Sequence, residues 1–392
     1  MIAAAKRLGG VTEYYFSAKL KEVRQMMAEG KNVINMGIGS PDLPPSLAVM
    51  EAMSNAMPDA LAHQYQSYQG LPELREAMAG FYREHFGVCL DPANEILPLM
   101  GSKEGIVHIS LAFLNEGDKV LVPNPGYPTY AAAVKLEGAC VINYELSETN
   151  DWEPDFDVLE QMDLSGVKMI WTGYPHMPTG AKGSRQMFEK LVAFAKKHSL
   201  LIVNDNPYSF VLNEDQLSVF QVEGAKEVAL ELNSLSKTFN MAGWRVGMVL
   251  GNKDLVATVL KVKSNMDSGM FYGIQKGAIA ALRSGEEWFE QLNSTYSKRR
   301  QLVFELADAL GCTYSTDVSG LFVWAKLPEG SVSAEAYVDK ILQESHIFIT
   351  PGTVFGSAGE GYIRFSLCVP ETQITEALHR LEKVEQLIVK FA

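Results

Sequence analysis

The chain has 392 residues, 47% apolar and 21% charged, with a formal net charge of −13. That length suits two domains, or one large domain with an appendage, and the composition is that of a globular protein. The acidic balance argues against non-specific nucleic-acid binding and against a membrane-surface role, since both need basic patches, and leaves small-molecule substrates open.

The N-terminal stretch MIAAAKRLGGVTEYY lacks the apolar core of a signal peptide. No apolar run reaches the roughly 18 residues of a membrane span, so a cytoplasmic location is expected. Residues 1–30 read as a helical arm, of the kind that packs on a partner subunit or simply covers the surface. Cys89, Cys140, Cys312 and Cys368 are widely spaced with no CxxC pair, which argues against a zinc site and a disulfide framework. Most are expected to be buried small hydrophobes.

A helical pattern over KEGIVHISLAFLN (103–115) leads into strand-like runs at KVLVP (119–123), VINYEL (141–146) and KMIWTGYP (168–175). A second helical pattern, RQMFEKLVAFAKKHS (185–199), sets Met187, Leu191, Phe194 and Ala195 on one face. Further strand-like runs follow at LLIVNDNPY (200–208), VALELNSL (228–235) and VGMVLG (246–251). All are rich in Val, Ile and Leu and bounded by Gly, Pro, Asn or Asp. The alternation predicts an α/β fold with a mostly parallel sheet covered on both faces.

After residue 285 the pattern changes. A long helix is expected around YSKRRQLVFELADAL, then a strand (FVWAKL), a helix (SAEAYVDKILQES), short strands (IFIT, YIRFSLCV) and a terminal helix from Glu371. This reads as a smaller α+β domain. The expected division is 1–45 for the arm and part of the small domain, 46–285 for the large domain and 286–392 for the small one. No linker separates them, so a site is expected between them.

Ligands of open α/β sheets bind beyond the carboxyl ends of the strands. After LLIVND come Asp205 and Tyr208. An acid ending an apolar strand needs a cationic or hydrogen-bonding partner; a protonated pyridine nitrogen would serve, and so would the N-terminus of a helix. After VALELNSL come Ser236 and Lys237, with Arg245 beyond. Hydroxyls and a guanidinium suit a phosphate, and the amine can form a Schiff base with an aldehyde, although most lysines are simply solvated. Ser102 and Lys103 open a helix whose free N–H groups could hold an anion, or Ser102 could merely cap it. Tyr127, between Pro125 and Pro128, could stack on a flat ring. HMPTG (176–180) reads as a turn that starts the next helix through Pro178 and Thr179. Arg364, inside an apolar strand, must find an anion, either a structural carboxylate or a substrate's.

Taken together, these motifs resemble the class I/II (fold-type I) aminotransferases that use pyridoxal 5′-phosphate, nearest the aspartate/LL-diaminopimelate-type branch. The family's Ser-x-Ser-Lys followed by Arg-x-Gly reads SLSK…WRVG in this chain, and matching motifs run in order from GIGSPDLPP (37–45) to GYIRFSL. The resemblance implies a seven-stranded, mostly parallel sheet in the large domain. It makes Lys237 the Schiff-base lysine and the group that moves the substrate proton. Asp205 would pair with the pyridinium nitrogen, Tyr208 with ring O3′, and Tyr127 would stack on the ring. Ser102, Lys103, Ser234, Ser236 and Arg245 would hold the phosphate. Tyr65 would reach a phosphate in the neighbouring subunit of a homodimer. Arg364 would clamp the substrate carboxylate, assisted by the N–H of Gly39. The small-molecule partners would be an L-amino acid and a 2-oxo acid.

One position departs from the pattern: Met177 stands where the family has Asn before Pro-Thr-Gly. A thioether cannot donate, so ring tuning would rest more on Tyr208 and carboxylate binding would be looser. Met177 keeps β-elimination open, as well as a low-activity PLP-binding paralogue. By the resemblance to aspartate-type relatives Lys103 favours an acidic donor such as glutamate, or it is a solvated first-turn residue, whereas Tyr14, Tyr15 and Phe16 would suit an aromatic or apolar donor.

Overall fold

A computed structural model describes residues 2–10 and 15–388. The main sheet has seven strands: β1 (Ile96–Leu99), β2 (Lys119–Asn124), β3 (Cys140–Glu145), β4 (Val167–Thr172), β5 (Leu201–Asp205), β6 (Ala229–Ser234) and β7 (Gly247–Gly251). Their order is β1-β7-β6-β5-β4-β2-β3. Neighbours from β3 to β6 run parallel, while β7 is antiparallel to both β6 and β1.

Helices cover both faces, so successive strand residues enter different cores. In β5, Ile202 belongs to the core that includes Met187, Leu191 and Phe194 of the helix Arg185–His198, and Val203 to the opposite core, with Ile106 and Ile109 of the helix Ser102–Phe113. Gly105 lets that second helix approach β6, because a Cβ there would lie 2.5 Å from Leu232 Cδ2.

Several boundaries differ from expectation. Strand β1 was not anticipated, because Pro98 interrupts its apolar run; it lies at the sheet edge, where a missing N–H is tolerated. The run KMIWTGYP stops being strand at Thr172, ahead of Gly173 and Pro175. The turn at Pro178 and Thr179 does not start a helix; the helix begins at Arg185, where Ser184 Oγ accepts the Met187 N–H at 3.0 Å. Only Cys312 and Cys368 are buried. Cys140 starts the edge strand β3 and Cys89 follows the helix Pro72–Phe86, so both thiols face solvent.

A second sheet contains β8 (Thr313–Tyr314), β9 (Phe322–Lys326), β10 (Thr350–Pro351) and β11 (Tyr362–Ser366), in the antiparallel order β10-β11-β9-β8. The expected strand IFIT is divided. Ile347–Phe348 pairs in parallel with Ile34–Asn35, which ties the segment after residue 35 to this half of the molecule. The 24-residue helix Glu286–Ala309 starts ahead of the expected YSKRR stretch, and the helix Glu371–Ile388 begins where expected. Ile34, Met36, Phe322, Ile363 and Phe365 belong to a core of their own. Among the described residues, no helix is long and apolar enough to cross a membrane.

Candidate active site

A cavity of about 690 Å³ opens beyond the carboxyl ends of β2, β4, β5 and β6 and is closed on one side by the second sheet. Gly39, Ser102, Lys103, Tyr127, Asp205, Tyr208, Ser234, Ser236, Lys237, Arg245 and Arg364 all line it. Tyr65 does not; its side chain is 91% exposed. Tyr14 and the side chains of Tyr15 and Phe16 lie outside the described residues, and Leu20, farther along the arm helix, reaches the lining.

Strand β6 ends in a short helix, Leu235–Thr238, that delivers Lys237 to the cavity floor. Its Nζ donates to Gly39 O at 2.5 Å. Burial holds the ammonium's pKa below its usual value, and the positive charges of Arg364 and Arg245 push the same way. Gly39 sits so close to Phe322 that a Cβ would lie 2.2 Å from the ring.

Asp205 ends β5 and is 6% exposed. Its Oδ2 accepts from the Tyr130 hydroxyl at 3.0 Å, while Oδ1 is buried with no hydrogen-bond partner. Burial pushes the carboxyl up to about 7; the Tyr130 bond opposes this and nearby Glu231 adds to it. The acid is therefore not a helix cap. Tyr130, which the sequence reading passed over, stacks flat on Trp171 at 4.8 Å and meets Tyr127 edge-on at 5.5 Å.

The groups expected to hold an anion converge from three loops. Ser234 Oγ accepts the Ser236 N–H at 3.2 Å and lies 2.9 Å from Ser236 Oγ, so it organises the turn as its cap. Gly101, at φ 88°, precedes the helix that starts at Ser102. A Cβ on Gly101 would lie 2.1 Å from Arg245 Nη2, and one on Gly247 would lie 2.6 Å from Ser102 N. These two close approaches account for the glycine after Arg-x and for the one before Ser102. Lys103 borders the same cup; burial and then Arg245 lower its pKa.

On the opposite wall Arg364, 4% exposed, donates from Nη2 to Gly37 O at 2.7 Å and lies 3.8 Å from the Phe322 ring centroid. Its Nη1 contacts Met177 Sδ at 3.2 Å. His176 beside it is buried, which drives its pKa down to about 3, and its Nδ1 is 2.8 Å from Thr179 Oγ1. Its ring is neutral near pH 7, and it too borders the cavity. The Tyr127 loop is tied to the second sheet's side: Asn124 Nδ2 donates to Ser357 Oγ, and the Gly126 N–H donates to Phe355 O, each at 2.8 Å.

An amine of lowered pKa, a buried acid with one open oxygen, a cup of hydroxyls with a guanidinium, and a buried arginine thus face one cavity. The sequence pattern of the aminotransferase class I and II family matches residues 31–381, and the chain belongs to that family. It is an aminotransferase, an enzyme that transfers amino groups. Among its relatives are the LL-diaminopimelate aminotransferases of Nitratidesulfovibrio vulgaris (strain Miyazaki F), 41% identical over 96% of this chain and 98% of that one, and of Aquifex aeolicus, 40% identical over 98% and 100%. A substrate-bound BacF structure from Bacillus subtilis superposes with a TM-score of 0.94 at 32% identity, covering 98% of each chain. A Thermus thermophilus aspartate aminotransferase mutant gives 0.91 at 25% identity, covering 98% and 100%.

Proposed function

We propose that the chain uses pyridoxal 5′-phosphate to move an amino group between an L-amino acid and a 2-oxo acid, with LL-diaminopimelate and glutamate as the first substrates to test. The observation that carries the cofactor reading is Asp205 Oδ1, a buried carboxylate oxygen with no partner in the cavity that Lys237 enters. A protonated ring nitrogen satisfies it. The donor set fits the rest: Ser236, Arg245 and the helix start at Ser102 for a phosphate, and Tyr127 and Tyr208 for the ring.

When bound, the cofactor supplies an aldehyde carbon to take the amino group and a ring to accept electrons. Asp205 holds the proton on the ring nitrogen. Lys237, kept readily deprotonated by burial, takes and returns the proton at the substrate Cα. Arg364 orients the substrate carboxylate, and Phe322 beneath it keeps water away from the pair.

The same reading makes the enzyme a homodimer, with Tyr65 reaching the phosphate of the neighbouring subunit. The exposed apolar side chains Leu61, Tyr65, Tyr68 and Phe271 support that contact. Exposed free thiols at Cys89 and Cys140 favour the cytoplasm. Residues 46–285 would form the cofactor domain, and 286–392 with the first 45 residues the small domain and arm.

The test is an absorption spectrum of the purified protein before and after L-glutamate or LL-diaminopimelate, without oxo acid. A cofactor band that shifts with the donor and returns with 2-oxoglutarate supports the reading and ranks the donors. Absence of any band after incubation with the cofactor refutes it.

A further inference from the structure

The place of Met177 gives its sulfur a specific neighbour. Sδ lies 3.2 Å from Arg364 Nη1, and Met177 borders the cavity. The guanidinium is steadied elsewhere by Gly37 O, by Phe322 and by Phe355, whose centroid is 4.5 Å away. A thioether is a weak acceptor, so a substrate carboxylate displaces it from Nη1 with little opposition.

We propose that Met177 is a modification site, at which oxidation of the sulfur by a peroxide closes the carboxylate position at Arg364. The inference rests on the reading of Arg364 as the group that holds the substrate carboxylate. In the step, a sulfur lone pair attacks one oxygen of hydrogen peroxide, the O–O bond breaks, an S–O bond forms, and the second oxygen leaves as water once it has taken the proton. Sulfur loses two electrons and the peroxide gains two.

The new sulfoxide oxygen is a strong acceptor within reach of Nη1. A charge-assisted hydrogen bond replaces a soft contact. An incoming carboxylate then meets an acceptor where it must itself accept, and docks only by breaking that bond. The sulfur is reachable because Met177 is only partly buried, whereas Met36, Met78, Met169 and Met241 are fully buried. A carboxylate seated at Arg364 covers the sulfur, so occupancy protects it.

The test treats the holoenzyme with dilute hydrogen peroxide and then with dithiothreitol, which reverses sulfenic acids and disulfides at exposed cysteines but leaves sulfoxide in place. Peptide mass mapping follows Met177 beside Met266, which is 61% exposed. As Met177 gains one oxygen, the Michaelis constants for amino acid and oxo acid rise about tenfold or more, the size of a lost charge-assisted bond, and the turnover number changes less. Excess 2-oxoglutarate slows oxidation of Met177 and not of Met266. Met177→Leu, compared with its own untreated sample, shows no rise. Three results overturn the proposal: unchanged Michaelis constants after full oxidation of Met177, a Met177 that resists while Met266 reacts, or an equal rise in Met177→Leu. Michaelis constants unmoved by Arg364→Ala in untreated enzyme would instead refute the reading of Arg364 itself.

Discussion

Asp205→Asn replaces a buried acid with a neutral side chain of the same shape. The carboxyl titrates at 3.8 when unperturbed and is raised to about 7 in the fold, chiefly by burial. Because the folded value is the higher one, the folded protein holds an extra proton between those limits. The stabilisation this gives is complete below the unfolded value and is lost as pH climbs through the folded one. A rise of that size corresponds to about 4 kcal/mol between about pH 4 and pH 8. The cofactor-free Asn variant carries no such term, so it should match wild type in acid and exceed it at alkaline pH. Urea-unfolding midpoints of both cofactor-free proteins at several pH values measure this, and groups common to both cancel. Adding cofactor should reverse the order at alkaline pH, since only the aspartate then gains a charged partner. A midpoint difference that stays constant from about pH 5 to pH 8 would refute the argument that burial keeps Asp205 protonated.

Tyr130→Phe removes a hydrogen bond to that carboxylate, worth about 1.5–3 kcal/mol, so the Asp205 titration should move up by about one to two pH units in the same unfolding assay. An unmoved profile would remove Tyr130 from the account. Gly101→Ala puts a methyl 2.1 Å from Arg245 Nη2 at a positive φ; cofactor affinity should fall at least about tenfold in a fluorescence titration, and wild-type affinity would show that Arg245 does not hold the phosphate. Arg364→Ala should raise the Michaelis constants of both substrates about a hundredfold, the scale of a lost buried charge pair, with cofactor affinity kept. Met177→Asn should shift both the cofactor spectrum and substrate affinity, by adding an amide donor near the ring and a stronger acceptor beside Arg364; no change in either would mean that the thioether is neutral in tuning.

The α/β alternation was legible because strands buried on both faces must be continuously apolar, as at Ile202 and Val203. Pro98 hid β1, since a ladder donor is missing there and only an edge position, which the sequence does not announce, excuses it. Asp205, Lys237, Arg245 and Arg364 were readable because each breaks an apolar or small-residue context that otherwise explains itself. Tyr130 was not. It looks like an ordinary aromatic in a helix, and its meaning lies in Asp205, 75 positions away. The cups at Gly101 and Gly247 were visible only as glycines, because what excludes a side chain comes from distant backbone and from Arg245.

The parallel pairing of Ile34–Asn35 with Ile347–Phe348 runs Gly37 and Gly39 alongside the sheet that carries Arg364, whereas Lys237 and Asp205 follow strands of the main sheet. The bond from Lys237 to Gly39 O therefore crosses the cavity from one sheet's side to the other's. The amine on the cavity floor is thus held by backbone from the other sheet's side, and the neighbouring Gly37 carbonyl accepts from Arg364.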